Sequence, residues 1–537
     1  MFRKIIYSLL FATLIGEVFA QNIEISGNIE ENTYWDYDTV WITGDVNILE
    51  TAILGIAPGT TVISSGYYKI NSYGCIKAFG TETDSILFTV LDTTGFNDTA
   101  LYSQGGWDGI HFLPSTIEDT SVFTFCRFSY GKAVSPLNNS GGMFNIDTRN
   151  NIEFENCSFV YNLCMQSGGA IYSNSTNHVS YCLFLLNRSY FNGGAVTFHA
   201  VYIEPVINNC SFLKNIAMDH YFYNGFLVEI GQGAGVYVNT NYSPNQMPKV
   251  INNFFWANSY IPVYESCYNI LIANNIIVNN WYGFMNGMSI GNQKLINNTI
   301  CGNYDFAIDI NNPDLIIRNN IIYDETGAWD VAVGDTIVYS GSNVANPNLS
   351  YCNIQYDLFS QNTGVINADP AFVNPLPVPD PNIFLYYIFH IENTEIPVLS
   401  FELESFDYSL MDESACVNMG IPDTTGLFLP EVDYLGEPRV FGNRIDIGAV
   451  ENQWVTSVIP QAQEPKLCVF PNPAVDKIFV AGLKRNQIFY IFSSNGICVM
   501  QSKFSSSGID IGYLPEGVYF IKTTIDQKEY NIKFVKD

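Results

Sequence analysis

The sequence predicts an all-β protein, a solenoid of short parallel strands followed by a small, separate β-rich tail. Three observations predict it. A short phrase recurs nine times between Thr124 and Ile354, helical periodicity is absent, and the composition changes near residue 453. Each phrase is a polar pair followed by an apolar-x-apolar triplet. The first four are Thr124-Phe-Cys-Arg-Phe128, Glu155-Asn-Cys-Ser-Phe159, Ser180-Tyr-Cys-Leu-Phe184 and Asn208-Asn-Cys-Ser-Phe212. The next four are Asn252-Asn-Phe-Phe-Trp256, Asn274-Asn-Ile-Ile-Val278, Asn297-Asn-Thr-Ile-Cys301 and Asn319-Asn-Ile-Ile-Tyr323, and the last is Ser350-Tyr-Cys-Asn-Ile354. Their third residues lie 31, 25, 28, 44, 22, 23, 22 and 31 positions apart. A floor near 22 with longer excursions is what a solenoid produces when its core register is fixed and its loops grow outward.

Residues 1–20 stand apart from the fold. Arg3 and Lys4 precede an apolar run from Ile5 to Ile15, and Val18 and Ala20 place small residues before a cleavage point. This is the pattern of a secretory signal peptide, with Gln21 as the new N-terminus. No later segment offers eighteen uninterrupted apolar residues, so no transmembrane segment is expected. Residues 21–465 carry 45 acidic and 12 basic residues, a net of −33, whereas 466–537 carry 6 and 9, a net of +3. An acidic body of that size repels nucleic acid and anionic membranes. Calcium is the cofactor such a surface would attract, but no loop has EF-hand spacing or a glycine-aspartate nonapeptide, and no metal ligands are assigned.

Within each coil the phrase itself is a short strand with apolar residues at alternate positions, and a turn rich in Asn and Gly follows it. Asn162, Asn187, Asn215 and Asn303 fall where the chain bends, and Asn tolerates left-handed backbone there. A further strand opens with glycine, as in Gly168-Gly-Ala-Ile-Tyr172, Gly193-Gly-Ala-Val196 and Gly233-Ala-Gly-Val-Tyr237. Asn209, Asn253, Asn275, Asn298 and Asn320 are expected to share one column, whose amides bond from rung to rung. Of the twelve cysteines, Cys126, Cys157, Cys182, Cys210 and Cys352 share one phrase position. Stacked side by side they are expected as free, buried thiols, because parallel neighbours rarely meet the disulfide dihedral. Two or three short strands per coil, parallel from coil to coil, make a parallel β-helix.

These features resemble a right-handed parallel β-helix of the pectate-lyase-like superfamily. The opening segments Val40-Trp-Ile-Thr-Gly44, Ile56-Ala-Pro-Gly-Thr-Thr-Val62 and Trp107-Asp-Gly-Ile-His-Phe112 fit that class. So do the closing segments Asp433-Tyr-Leu-Gly-Glu-Pro-Arg-Val440 and Arg444-Ile-Asp-Ile-Gly-Ala-Val-Glu451. The resulting division is a signal peptide at 1–20, a β-helix at 21–452, a polar linker at 453–466 and a C-terminal unit at 467–537. That last unit holds Val469-Phe-Pro-Asn-Pro-Ala474, a turn at Ser494-Asn-Gly496, Leu514-Pro-Glu-Gly-Val-Tyr-Phe-Ile521 and a basic final strand. It resembles the type A C-terminal sorting domain of the type IX secretion system of Bacteroidetes, a small β-sandwich. The resemblance implies the type IX machinery as partner and a secreted or outer-surface location.

Relatives of the β-helix include lyases and hydrolases of acidic polysaccharides, so candidate catalytic groups were sought. A lyase needs a base and cations beside the substrate carboxylate. Arg149, Arg188 and Lys214 lie in successive coils but do not share a position within the coil. A glycosidase needs two facing carboxylates; Asp305 and Asp309 lead a group completed by Asp314, Asp324 and Asp330. None of the five histidines is flanked by glycine, and G-x-S-x-G is absent. Aromatic residues in loops beside a rigid sheet suit sugar stacking. The longest excursion, after Cys210, supplies Tyr221, Tyr223, Phe226 and Tyr242, and Trp281 and Tyr282 follow a later phrase. The expected role is therefore non-catalytic binding or adhesion with polysaccharide as candidate ligand. The alternative is a polysaccharide lyase or glycoside hydrolase of the same fold.

Overall fold

Apolar residues at every second position demand a strand with one buried face, and their return every 22 to 31 residues stacks those faces on one axis. The computed structural model describes residues 21–377, 406–453 and 468–537, apart from 117–118, 148–150, 200–202, 218–219, 224–225, 230, 242–243, 289, 304–306, 324–336, 339–347, 356–358, 443, 471, 482–486, 505–507 and 526–527. The expected signal peptide and nearly all of the expected linker lie outside them. The chain forms two compact units, one running through the solenoid to Asn452 and the other holding Gln453–Asp537.

Three strands per coil build the solenoid, all parallel to their equivalents in the next coil. One side is a 12-stranded sheet running from Thr33–Trp35 to Leu349–Ser350. The other two sides join in a 23-stranded sheet. Its second-side strands include Cys126–Ser129, Ser158–Val160 and Leu183–Leu185. Its third-side strands include Ile110–Phe112, Phe144–Ile146, Ile171–Ser173, Val196–His199, Val236–Asn241 and Val263–Cys267. A short four-stranded sheet, from Lys132–Ala133 to Ile216–Ala217, lines the corner between those two sides. Inside, Phe88, Phe128, Phe159, Phe184, Phe212 and Phe255 stack in one file at centroid spacings of 4.9, 5.0, 4.7, 4.8 and 4.8 Å. The spacing is that of the coils themselves, so ring stacking and strand pairing reinforce each other.

The corner entered by each phrase shows why the phrase exists. Phe125, Asn156, Tyr181, Asn209, Asn252, Asn274, Asn297, Asn319 and Tyr351 all have φ between 48° and 57°. One left-handed residue turns the chain from the first side to the second, and asparagine adopts that conformation at least cost. The next position is buried. It runs Cys126, Cys157, Cys182, Cys210, Asn253, Asn275, Asn298, Asn320, Cys352, as strand register requires. This corrects two expectations. Asn209 is not in the column of Asn253; it aligns with Asn252, whose amide donates to it at 3.4 Å. The phrases from Phe254 to Ile321 are also offset by one residue, so the asparagines, not the apolar residues after them, succeed the cysteines. The physical reason is equivalence of function. In both cases the side chain donates inward to carbonyls, as Cys157 does to Phe123 O at 3.3 Å and Asn275 to Val250 O at 2.8 Å.

Asparagine also bonds its neighbours. Asn253 Nδ2 donates to Asn275 Oδ1 at 3.0 Å, Asn275 to Asn298 at 3.0 Å and Asn298 to Asn320 at 3.0 Å. A second amide file occupies the next corner, where Asn162, Asn187, Asn215, Asn258, Asn280 and Asn303 link at 2.8 to 3.1 Å. The cysteines of the first corner are unbridged and buried, and burial pushes the Cys352 thiol up to about 12. Glycines open the third-side strands because neighbouring coils touch there; a Cβ on Gly169 would sit 2.0 Å from Gly194 O. Finally, residues 416–452 fold back over the late coils. Asn274 donates to Val432 O, Asn297 to Asp446 O and Gly448 O, and Ile421 N donates to Asn319 Oδ1.

The named strands of the second unit all pair antiparallel. Cys468–Phe470, Lys477–Ala481 and Ile509–Asp510 form one sheet; Cys498–Lys503, Ile488–Ser493, Gly517–Ile525 and Lys528–Lys536 form the other. Both contribute to a core of Ile478, Val480, Phe489, Ile491, Ile511, Ile521 and Phe534, which makes a small β-sandwich.

Candidate functional site

The third side carries one outward residue per coil between two inward ones, which are apolar or, as at Ser72, Ser173, Glu265 and Asn286, buried and polar. Register places these in a single file: Asn28, Asn47, Asn71, His111, Asn145, Tyr172, Thr197, Tyr237, Tyr264, Met285 and Asp309. At the amino-terminal end the amides of Asn71, Asn47 and Asn28 chain together at 2.9 and 3.1 Å. His111 then meets a polar knot. Its Nε2 lies 2.7 Å from Asp108 O, Asn138 Nδ2 donates to Asp108 Oδ1 at 2.8 Å, and Lys69 Nζ stands 3.7 Å from Asp108 Oδ2. Tyr67 donates to Lys132 O at 2.7 Å beside it. Burial lowers the His111 pKa and so favours the neutral imidazole.

Midway along the file, Tyr172 is half-buried and its hydroxyl lies 3.4 Å from Nδ1 of exposed His199. Burial raises its pKa, with Asn174 and Asp147 as polar neighbours. Asn239, beside His199 in register, donates to Tyr237 Oη at 3.4 Å. Further on, Tyr237 and Tyr264 stack at 5.2 Å and 1°, with Ile261, Tyr282 and Met285 against them. Behind that stack the inward Glu265 is fully buried. It accepts from Cys267 N at 2.8 Å and from the Asn286 amide, and burial pushes its carboxyl up to about 7.

Two insertions rise from the corner between the second and third sides. The first, residues 91–106, lies along that corner and is held by Lys132, whose buried ammonium donates to Gly95 O, Asp98 O, Leu101 O and Gln104 O at 2.8 to 3.0 Å. Burial, with the neighbouring Arg188 charge, pulls Lys132 down to about 8 against the opposing pull of Asp98; four carbonyl dipoles favour the ammonium. The second is a hairpin of His220–Tyr223 and Phe226–Glu229, where Tyr221 pairs with Val228 and Tyr223 with Phe226. It leads into the strand bearing Tyr237.

Of the expected site residues, Arg188 sits in the corner sheet. Its guanidinium lies 5.6 Å from the Tyr190 ring and 3.5 Å from Asn97 Oδ1 of the first insertion. Lys214 occupies a left-handed corner position with its ammonium 5.3 Å from the Trp256 ring, and burial lowers its pKa. Neither is a member of the third-side file. Asp309 is in that file and buried. Trp281 and Tyr282 are half-buried, their rings 6.3 Å apart. Arg149, Asp305 and Tyr242 lie outside the described residues, as do Asp324 and Asp330. Among the described residues no group of three or more His, Cys, Asp or Glu is placed to hold a metal ion, and no helix is long and apolar enough to cross a membrane. His111, Asp108, Asn138, Tyr172 and His199 were missed by sequence reasoning. The available signal was their place: His111 and Tyr172 are the polar middle of a triplet just after glycine.

The carboxyl-terminal unit is identified by comparison. The family model described as secretion system C-terminal sorting domain matches residues 468–537. The tail is a type IX sorting domain. The sorting domain directs export by the type IX system, and the protein is attached to the outer cell surface or released from it. No curated protein and no solved structure matches the chain.

Proposed function

We propose that the exported solenoid is a non-catalytic binding or adhesion protein whose third side holds polysaccharide at or beyond the cell surface. The observation that carries this reading is the file of one third-side residue per coil, in which half-buried Tyr172 and the amides of Asn28, Asn47, Asn71 and Asn145 reach the surface, while Tyr237 and Tyr264 are buried against each other. Rigid parallel strands fix one side chain per coil at ~4.8 Å intervals, a scaffold suited to a repeating ligand. The half-buried Tyr172 ring offers stacking area, and the amides of Asn145 and Asn174 beside it offer both donors and acceptors. The rival, a lyase or hydrolase, draws little support from Arg188 and Lys214, which pack against rings at the corner.

The test is a panel of acidic and neutral polysaccharides incubated with the mature protein and assayed for binding and for new unsaturated or reducing ends. Retention without new ends is expected; turnover on any polymer overturns the non-catalytic reading. A parallel truncation of 468–537 is expected to hold the solenoid in the periplasm, and surface delivery of that truncation would contradict the role of the tail.

A further inference from the structure

The amino-terminal end of the solenoid is open, while its carboxyl-terminal end is closed. Strand Asn22–Ile29 pairs on one edge with Thr39–Ile48, and strand Thr33–Trp35 pairs on one edge with Ile53–Ile56. Among the described residues no strand pairs with their other edges, which together form the rim of the first coil. Gln21 O and Ile29 O accept from Thr39 N and Leu49 N of the next coil. Strand alternation therefore turns the N–H and C=O of Asn22 and Glu24 to the free edge. The core ends there too. Ile23 and Ile25 are half-buried, whereas Val40 and Ile42, their partners in the next coil, are wholly buried. Tyr37 is half-buried against the same core. At the far end Ile354 N donates to Ile366 O and Ile366 N to Cys352 O, both at 2.9 Å, and Phe359 and Val365 pack on the core. A second copy therefore finds an open rim of matching shape only at the same end, which makes the contact isologous and closes the assembly at two chains.

We infer that the solenoid forms a two-fold dimer, head to head, in which the first coil of one copy adds to the first coil of a second. A two-fold axis through the second side lays Asn22–Ile25 antiparallel to itself and sets Gly27–Ile29 of each copy against Thr33–Trp35 of the other. Backbone bonds close the rims, and Ile23, Ile25 and Tyr37 of both copies are covered. The first coil, residues 21–38, approaches the ~20–30 residues a side of a standard interface, so the dimer is a reversible one. The same coil carries the exposed acids Glu24, Glu30, Glu31, Asp36 and Asp38 and no lysine or arginine. Repulsion between copies opposes the contact and salt screens it, so association tightens as ionic strength rises. The carboxyl-terminal coils of the two solenoids face opposite ways, an arrangement suited to bridging two surfaces.

The experiment is sedimentation velocity of the chain beginning at Gln21, over a dilution series at low and high salt, with hydrogen exchange of residues 22–29 measured alongside. A reversible dimer is expected, tighter at high salt, with the Asn22 and Glu24 amides protected in the dimer and released on dilution. Asn22→Pro removes an N–H that faces the free edge and changes no charge. Its melting temperature is expected to hold, while association weakens at least about tenfold through two lost bonds per dimer. A monomer at every concentration and salt overturns the inference, as does an Asn22→Pro chain that folds and dimerises at full strength. Amides at 22–29 that exchange equally fast in monomer and dimer overturn the edge as the contact, whatever the stability of the variant. Larger oligomers or filaments overturn the two-fold geometry.

Discussion

The early coils, Cys126 to Leu213, and the late coils, Asn253 to Tyr323, share one backbone and solve its first corner differently. In the early coils the buried position holds cysteine, the interior is a file of phenylalanines, and the left-handed residue before it is partly or well exposed, as with Tyr181. In the late coils the buried position holds asparagine, the phenylalanine file gives way after Phe255 to Ile277, Ile300 and Ile322, and the left-handed asparagines 274, 297 and 319 lie wholly buried under residues 416–452. A thiol bonds an inward carbonyl and a neighbouring N–H only weakly, as Cys210 does when it accepts from Cys182 N at 3.4 Å, and contributes apolar volume. An amide satisfies a carbonyl, an N–H and the next amide at once, which matters most where the corner is closed to water from outside. The early coils are thus held chiefly by apolar packing, and the late coils by a polar network that must be complete.

The sharpest way to break that contrast is Asn275→Ala. It removes the acceptor for Asn253 N and Nδ2 and the donor to Asn298. Orphaning buried groups at 1–3 kcal/mol each predicts a loss of about 4 kcal/mol in urea unfolding; a loss comparable to that of a thiol deletion would abolish the distinction. Next is Glu265→Gln, in the late network. The wild-type carboxyl is raised from 4.5 to about 7, so the folded state holds a proton the unfolded chain releases. Its contribution is fully present below pH 4.5 and lost as pH rises through about 7, amounting to about 3 kcal/mol. The glutamine variant is expected to lose less stability than wild type between pH 5 and 8; parallel pH profiles would place the carboxylate's partners elsewhere. Asp446 and Glu451, raised by burial to about 6 and about 8, tilt both profiles in the same direction and cancel in the comparison.

Lys132→Met tests an early coil that does depend on a polar cage. Loss of charged hydrogen bonds to four carbonyls predicts about 2 kcal/mol and new protease cleavage within 91–106; an unchanged digestion pattern would show that Phe96 and its apolar neighbours hold the loop alone. The smallest effect is expected from Cys182→Ala, about 1 kcal/mol from a small cavity. A loss as large as that of Asn275→Ala would mean the thiols form a network of comparable strength.

Much of the solenoid was legible from residue order. The phrase gave the spacing of the coils and the shared cysteine position, because both follow from alternation. The left-handed bend expected at Asn162, Asn187, Asn215 and Asn303 falls instead one residue earlier, on Tyr161, Leu186, Lys214 and Gly302, because the asparagines themselves turn inward to build the amide file. The register was legible only to within one residue. Cys210 and Phe254 were paired as third residues of like phrases, yet Cys210 N donates to Asn253 Oδ1 at 2.8 Å. Polarity made cysteine and asparagine look unlike, while their shared task, bonding an inward carbonyl, needed the neighbouring coil to be visible. The site was less legible still. Tyr172 and His199 are 27 residues apart, and their approach depends on which of two alternating faces each strand turns outward.

By itself, then, the sequence determined the repeating strand, its turns, its acidic charge and its exported tail, because propensity, patterning and net charge are local or additive. Tertiary structure alone decided three matters: which amides form continuous files, that Lys132 and Arg188 face the loop at residues 91–106, and that residues 416–452 seal the late corner. Each is a contact between segments far apart in the chain, fixed by register and burial, and neither is additive over residues.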